Sequence, residues 1–234
     1  MERRHLSLTI ASVSTALLLS FAVPASADKK GDALLNKCIS AMGRVKTFQA
    51  DVTLKDFPPQ DDRPSPQYGT LRVQRQPRRV ISKRPYLVDG KPKDAVILEK
   101  GEFQTVYNPK NNRGRTFREP DWAWEKNDWG VGNYYGVIFD KEMLLRYIPP
   151  GTQKEVVGVR RIGDTVCKVL TIKNSPGCLV LRFYIAPDGT LRGHDIKLER
   201  NRQVFSSISR LTNVKVDTPI PESVFDWKLP DDVK

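Results

Sequence analysis

The chain has 234 residues, a formal net charge of +12 and only three cysteines. A charge this basic favours anionic partners, namely lipid headgroups, nucleic acids or acidic proteins. The lysines and arginines are scattered along strand-like segments, a pattern that favours a solvated surface over one binding patch. The basic stretch 72–80 also lacks interleaved aromatic residues, so we expect no nucleic-acid partner.

The first 27 residues are typical of a secretory signal peptide. A basic start precedes an apolar run from Leu6 to Val23, and Ala25-Ser26-Ala27 provides an A-x-A cleavage site. An uncut membrane anchor is the alternative, but hydroxyl residues dilute the run and no basic stop-transfer cluster follows it. We therefore expect a signal peptide at 1–27, one domain at 28–234 and a mature protein that is soluble and outside the cytoplasm.

The remaining chain is predicted to form one helix followed by mostly antiparallel strands. Apolar residues recur at helical spacing over 30–47, at Leu34, Cys38, Met42 and Val45. Alternating segments predict strands at 48–55, 68–76, 79–84, 94–100, 103–108, 155–162, 165–173, 178–186, 190–200 and 203–216. Two further segments are predicted to be a short helix and an extended, proline-marked end, at 139–148 and 218–233. Residues 109–135 show no regular pattern.

Several predicted strands carry apolar residues on both faces. In 178–186, one face has Leu179, Leu181, Phe183 and Ile185, while the other has Val180 and Tyr184. A flat sheet with one wet face would not need this pattern. A curved sheet could pack a helix on one part and hold an apolar ligand against another.

The residues that could carry chemistry are few. His194 is the one histidine after residue 27, which excludes His-rich zinc sites, and we expect it at a strand surface. No nucleophile elbow surrounds a serine and no phosphate-binding loop is present. We therefore expect no catalytic residue, metal ion or cofactor, and a protein that is not an enzyme. A hydrolase that uses a carboxylate pair remains the alternative.

The cysteines leave the disulfide state open. If 174–177 forms a hairpin turn, about six residues of strand, or roughly 20 Å, separate Cys167 from Cys178, which is too far for a bridge. Cys38 could pair with either one, and three free thiols are equally compatible with the sequence.

Two features of the sequence leave open where their side chains lie in the fold. The segment 69–77, GTLRVQRQP, places Leu71, Val73 and Arg75 on one strand face, so an arginine shares the apolar side. Its side chain either finds acceptors inside the fold or extends to water from the end of the strand. The second feature is an aromatic segment that forms either core or a lid over a cavity. Its rings belong to Trp122, Trp124, Trp129, Tyr134 and Tyr135.

Five segments in order resemble the LolA-type lipoprotein carriers and their superfamily, which includes LppX-type and RseB-type proteins. They are VKTFQADV, GTLRVQRQP, LEKGEFQTVYNP, LRFYIAPDGTLRGHDI and PIPESVFDWKLPDDV. The resemblance implies a mainly β fold with α-helix, in which a strongly curved antiparallel sheet forms an incomplete barrel. Helices would act as a lid over an apolar cavity that takes acyl chains.

The resemblance also implies the site and the function. Arg75 matches the family arginine that hydrogen-bonds the lid in the closed state, and we name it the lid latch. The expected lining consists of Val52, Leu54, Leu71, Val73, Val80, Val106, Phe183 and Ile185. The lid candidates are Leu34, Met42, Trp122, Trp124 and Trp129.

The implied function is that of an exported, monomeric soluble carrier. It would bind the acyl chains of lipoproteins or lipids and exchange them with donor and acceptor proteins at the envelope membranes. The alternative is a periplasmic sensor of the RseB type, in which the same cavity detects lipid or lipoprotein and regulates a signalling partner.

Overall fold

A computed structural model of the chain describes residues 29–57, 66–118, 148, 151–173, 178–200 and 203–233. These residues include the strands β1 Thr47–Phe57, β2 Gln67–Gln74, β3 Arg79–Val88, β4 Lys91–Lys100, β5 Phe103–Asn108, β6 Arg113–Arg118, β7 Gln153–Ile162, β8 Thr165–Lys173, β9 Cys178–Ile185, β10 Leu191–Arg200 and β11 Gln203–Val216. These 11 described strands form one sheet in the order β6-β5-β4-β3-β2-β1-β11-β10-β9-β8-β7. Helix α1, Lys29–Arg44, precedes them, and a short 3-10 helix, Glu222–Phe225, follows them.

The sheet is strongly curved and open. Every neighbouring pair of strands is antiparallel, and the two edge strands, β6 and β7, are consecutive in the chain. Strand β7 also contacts β11, four places away in the sheet order, because the sheet curls back on itself. The predicted fold class, mainly β with a curved antiparallel sheet that forms an incomplete barrel, is confirmed.

Helix α1 forms because its apolar residues make one stripe. Its buried residues recur every three or four positions, at Gly31, Leu34, Leu35, Cys38, Ala41 and Met42. Asp32 lies in its first turn and Arg44 in its last, so both charges complement the helix dipole. Gly31 lets the helix approach β7 closely, since a Cβ there would overlap the carbonyl of Lys154.

The face of the sheet that carries α1 is called the inner face here. Buried residues of α1 form one cluster with inner-face residues of β1, β2, β3, β8, β9, β10 and β11, called the inner core. The opposite, outer face of β3, β4 and β5 is covered by the C-terminal segment, 218–233. This outer core contains Ile81, Val96, Leu98, Tyr107, Ile220 and Phe225. A third, smaller cluster on β7, β8 and β9 includes Tyr184.

Most predicted elements are confirmed, with bounds that differ by a few residues. Strand β11 has the predicted bounds, while α1 ends at Arg44 and not at 47. Strand β6 lies in the stretch that was expected to be irregular, so that expectation was wrong. Its residues are exposed or half-buried at the edge of the sheet, which leaves no apolar alternation to find. The helix predicted at 139–148 lies outside the described residues except for Ile148.

Two further findings concern the thiols and the membrane. Cys38 and Cys167 are free and buried, and burial raises the pKa of Cys38 to about 12. No helix in the described ranges is both long and apolar enough to cross a membrane.

Candidate functional site

The eight predicted lining residues share the inner face. Strand register joins them, because Leu54 lies opposite Ser209, which lies opposite His194, which lies opposite Phe183. On the other side, Leu71 lies opposite Ser82, and the row continues through Ile97 to Val106. The side chains of all eight are buried. Six of them belong to the inner core, namely Val52, Leu71, Val73, Val80, Phe183 and Ile185.

Helix α1 provides the cover over part of this face. Its Leu34 and Met42, two of the predicted lid residues, are buried in the inner core. The other predicted lid residues, Trp122, Trp124 and Trp129, lie outside the described residues. The described part of the predicted site is therefore an apolar sheet face with an amphipathic helix packed on it.

Arg75 joins the sheet to the C-terminal end of α1. Its Nε donates a hydrogen bond of 3.0 Å to the carbonyl oxygen of Val45, and its Nη2 donates one of 2.9 Å to that of Met42. The last carbonyls of a helix lack partners within the helix, and a cation near them also complements the helix dipole. The arginine on the apolar side of GTLRVQRQP thus binds the end of the helix that covers that side.

The strand itself ends earlier than the sequence suggested. Strand β2 stops at Gln74, and Arg75 opens the tight turn to β3. The expectation that the strand extends to residue 76 was therefore wrong. The turn brings the guanidinium to the level of the helix end, and the Arg75 backbone amide donates a hydrogen bond to the carbonyl of Lys46.

A buried carboxyl group lies on the inner face next to the predicted lining. Glu99 is fully buried, lies opposite Val80 and accepts hydrogen bonds from Gln104 at 3.1 Å and Arg78 at 3.4 Å. Burial raises the pKa of Glu99, and the two partners oppose that shift. Sequence reasoning missed it because a glutamate after the run Ala95–Leu98 looks like a strand end.

The expectation that His194 lies at a strand surface was wrong. Its side chain is fully buried on the inner face, opposite Phe183 and Ser209. Burial lowers the pKa of His194 to about 4, so the imidazole is neutral at pH 7. The alternation of side chains along β10 could have indicated this burial, because His194 and the buried Ile196 are two residues apart and share a face.

Buried hydroxyl groups next to His194 were also missed. Ser207 and Ser209 are fully buried, and neither hydroxyl oxygen has a hydrogen-bond partner among the described residues. The amide oxygen of Gln67, on the same face, is likewise buried and unpartnered there. The segment QVFSSISR reads as a strand with hydroxyl residues on both faces, so the sequence does not show that one of these faces is dry.

The described ranges show no group of histidine, cysteine or acidic side chains arranged to hold a metal ion. The described inner face instead offers apolar side chains, a few buried polar groups and the carboxyl group of Glu99, which is already paired with Arg78. These groups can bury an apolar ligand and hydrogen-bond a polar part of it.

Comparisons with solved structures identify the fold. An uncharacterized conserved protein from Thermus thermophilus superposes with a TM-score of 0.52 at 12% identity, covering 88% of this chain and 98% of that one. The lipoprotein LppX from Mycobacterium tuberculosis gives 0.50 at 11% identity, covering 83% and 98%. The chain has the LolA/LppX/RseB-like fold.

MucB superposes with a TM-score of 0.52 at 13% identity, covering 85% of this chain but 63% of MucB, so this chain spans about three fifths of that protein. No protein-family model matches the sequence, and no curated protein sequence matches it. At these identities the likeness concerns the fold, and the resemblance drawn from the five sequence segments is confirmed at that level.

Proposed function

We propose that this protein is a carrier that binds the acyl chains of lipoproteins or lipids on its inner face and transfers them between envelope membranes. The observation that carries the proposal is the placement of eight buried apolar residues on the one sheet face that α1 covers. Acyl chains would bind because burial of each methylene contributes about 0.8 kcal/mol.

Release requires that the covered state be only mildly preferred, because a carrier must exchange its cargo. We propose Arg75 as the latch for this step. It holds the end of α1 through two hydrogen bonds to backbone carbonyls. A ligand that displaces α1 would break both bonds, so loading and opening would be coupled.

Export completes the proposal. The segment 1–27 would be removed as a signal peptide, and the protein would act in the periplasm as a monomer with donor and acceptor proteins at the two membranes. It would need no cofactor, because binding and release involve no covalent step.

The first experiment is mass spectrometry of the protein purified natively from the envelope extract of its own host. Acylated lipoproteins that travel with it would support the lipoprotein carrier. Free lipids alone would favour a lipid carrier or a sensor. Of these two, only the sensor should also capture a signalling protein. A protein that is empty after purification and fails to extract acylated ligands from vesicles would overturn the proposal.

A further inference from the structure

The inner face carries a row of residues at one level that is partly polar. Consecutive antiparallel pairings place them side by side across six strands, from β2 to β8. In order they are Gln67, Leu54, Ser209, His194, Phe183 and Leu170. Ser207 lies two residues from Ser209 on the same face, opposite Ile196 of the inner core.

Two buried hydroxyl groups in this patch lack a hydrogen-bond partner in the described part of the chain. The side chains of Ser207 and Ser209 are 0% exposed, and their oxygens bond to no described residue. Buried hydroxyl groups in folded proteins are nearly always hydrogen-bonded, because an unpaired one loses its interaction with water and gains nothing. An alanine at either position would give the sheet the same register and a dry face. The serines therefore reduce stability unless something else bonds to them.

None of the six residues in the row is charged at pH 7, while the register places Asp56 opposite Ser207, and Arg84 on the same face lies against Gly69 of β2. His194 lies beside Ser209 and is uncharged at pH 7, because burial lowers its pKa to about 4. The other members of the row are an amide, aliphatic residues and a phenyl ring. An uncharged, buried row with an acidic residue in register with Ser207 favours an uncharged acceptor, such as an ester or amide carbonyl, over a carboxylate or phosphate, whose desolvation is expensive.

We propose that Ser207 and Ser209 donate hydrogen bonds to the ester or amide carbonyl oxygens at the head of bound acyl chains. Residues two apart on one strand face are separated by roughly 7 Å, so each serine can bond to the carbonyl of a different chain. The inner face would then select acylated glycerol over an ether-linked molecule with the same chains. This inference rests on the proposed function and adds to it the two residues that recognise the linkage.

The test compares two probes that differ only in these carbonyls. The affinity of the full chain is measured for a diacylglycerol and for the dialkyl ether glycerol of equal chain length, by displacement of a fluorescent fatty-acyl probe. We expect the ester to bind about tenfold more tightly, since two hydrogen bonds are lost with the ether. The S207A/S209A double variant should bind both probes equally, with its affinity for the ether unchanged.

Ser206→Ala is the matched control, because Ser206 is the next residue on β11 and its side chain points to the outer face. It should keep the preference for the ester. The double variant should also be at least as stable to urea as the wild type, since it removes hydroxyl groups that no described residue bonds. A large loss of stability in it would indicate a structural role and contradict the inference.

The outcomes separate this inference from the proposed function. If the wild type binds ester and ether equally well, recognition of the carbonyls is overturned while acyl-chain binding stands. If it binds neither probe, the proposed function fails and this inference fails with it. A diacylglyceryl-modified peptide, used as a third probe, distinguishes the two sources of the linkage, because tighter binding than diacylglycerol assigns the site to lipoproteins.

Discussion

The inner and outer cores of the sheet are both apolar, but they are covered in different ways. The C-terminal segment covers the outer core as a direct continuation of β11 and fills it with Ile220 and Phe225. Two of its acidic residues pair with the sheet, Glu222 with Arg79 at 2.8 Å and Asp226 with Lys100 at 3.4 Å. This cover is held along its length.

Helix α1 is attached by its apolar stripe and by polar contacts near its two ends and at Lys37, whose Nζ donates a hydrogen bond to the carbonyl oxygen of Pro187. Asp32 pairs with Lys154 at 2.9 Å near the first turn, and the Arg75 guanidinium binds the last carbonyls. The inner face also contains Glu99, Ser207 and other buried polar groups. A core that served stability alone would keep few such groups, because each is expensive to bury. We infer that the outer core stabilises the fold and that the inner core lies on the ligand-binding face.

Two phenylalanines provide the strongest test of this difference. Phe225→Ala in the outer core should lower the free energy of unfolding by about 3–5 kcal/mol, because it removes a fully buried ring, and should leave ligand affinity unchanged. Phe183→Ala in the inner core should cost a similar amount and also weaken diacylglycerol binding. Urea unfolding and probe displacement measure the two effects. Equal loss of affinity in both variants would contradict the division between the cores.

The buried histidine gives the next largest effect, as a dependence on pH. The pKa of His194 is about 4 in the folded state and near 6.5 when unfolded, so the unfolded chain binds the proton first as the pH falls. This group therefore gives stability that is present above pH 6.5 and is lost down to pH 4, by about 3 kcal/mol.

Urea unfolding at pH 7, 5 and 4 measures that loss. His194→Gln should be less sensitive to acid than the wild type by about this amount, because glutamine does not titrate. Phe225→Ala is the control, since it should lower stability equally at every pH. If the free energy of unfolding fell equally with pH in the wild type and in His194→Gln, the acid sensitivity would not come from His194.

The latch gives a smaller effect on stability and a larger one on transfer. Arg75→Leu should lower the free energy of unfolding by about 1–3 kcal/mol, because two carbonyls at the end of α1 lose the guanidinium, and only that of Met42 keeps a second donor, the amide of Val45. The amides of α1 should exchange hydrogen faster, and transfer of a diacylated peptide from donor to acceptor vesicles should be impaired.

Arg72→Leu is the matched control for the latch. Arg72 lies on β2, three residues before Arg75, with its side chain on the outer face, and its Nη1 donates hydrogen bonds to the carbonyls of Ala50 and Leu71 within the sheet. Its loss should leave both the exchange of α1 and the transfer unchanged. The latch hypothesis would be wrong if the two variants transferred ligand equally well.

The fold could be predicted where apolar periodicity is regular. The stripe of α1 reflects burial on one face, so its buried residues were placed correctly, whereas β9 was found from an apolar run on both of its faces. Strand β6 could not be found, because an exposed edge strand such as RGRTFR buries too little to leave a pattern.

The candidate site could be predicted in part, for the same reason. The alternation of side chains along the strand put Leu71 and Val73 on the inner face. Arg75 was singled out because it is a charged residue with the same alternation as these apolar ones. His194 and Ser209 were missed although they have inner-face parity, because polar residues are usually exposed and only the tertiary packing shows that this face is dry.

The smallest expected effect concerns Glu99, a carboxyl group on the inner face whose pKa burial raises although it lies beside Arg78. A carboxyl group with a raised folded-state pKa gives stability below its unfolded pKa and loses it as the pH rises through the folded value. Glu99→Gln should therefore be more stable than the wild type at pH 8 and equal to it at pH 4, by urea unfolding. The half-exposed Arg78 can then turn to water, so its lost ion pair matters little. Glu102→Gln, which removes a surface pair with Arg118, should change stability by under about 0.5 kcal/mol at either pH. If Glu99→Gln were less stable at pH 8, the pair with Arg78 would outweigh the burial of its charge, and the inner face would hold that pair as a structural element.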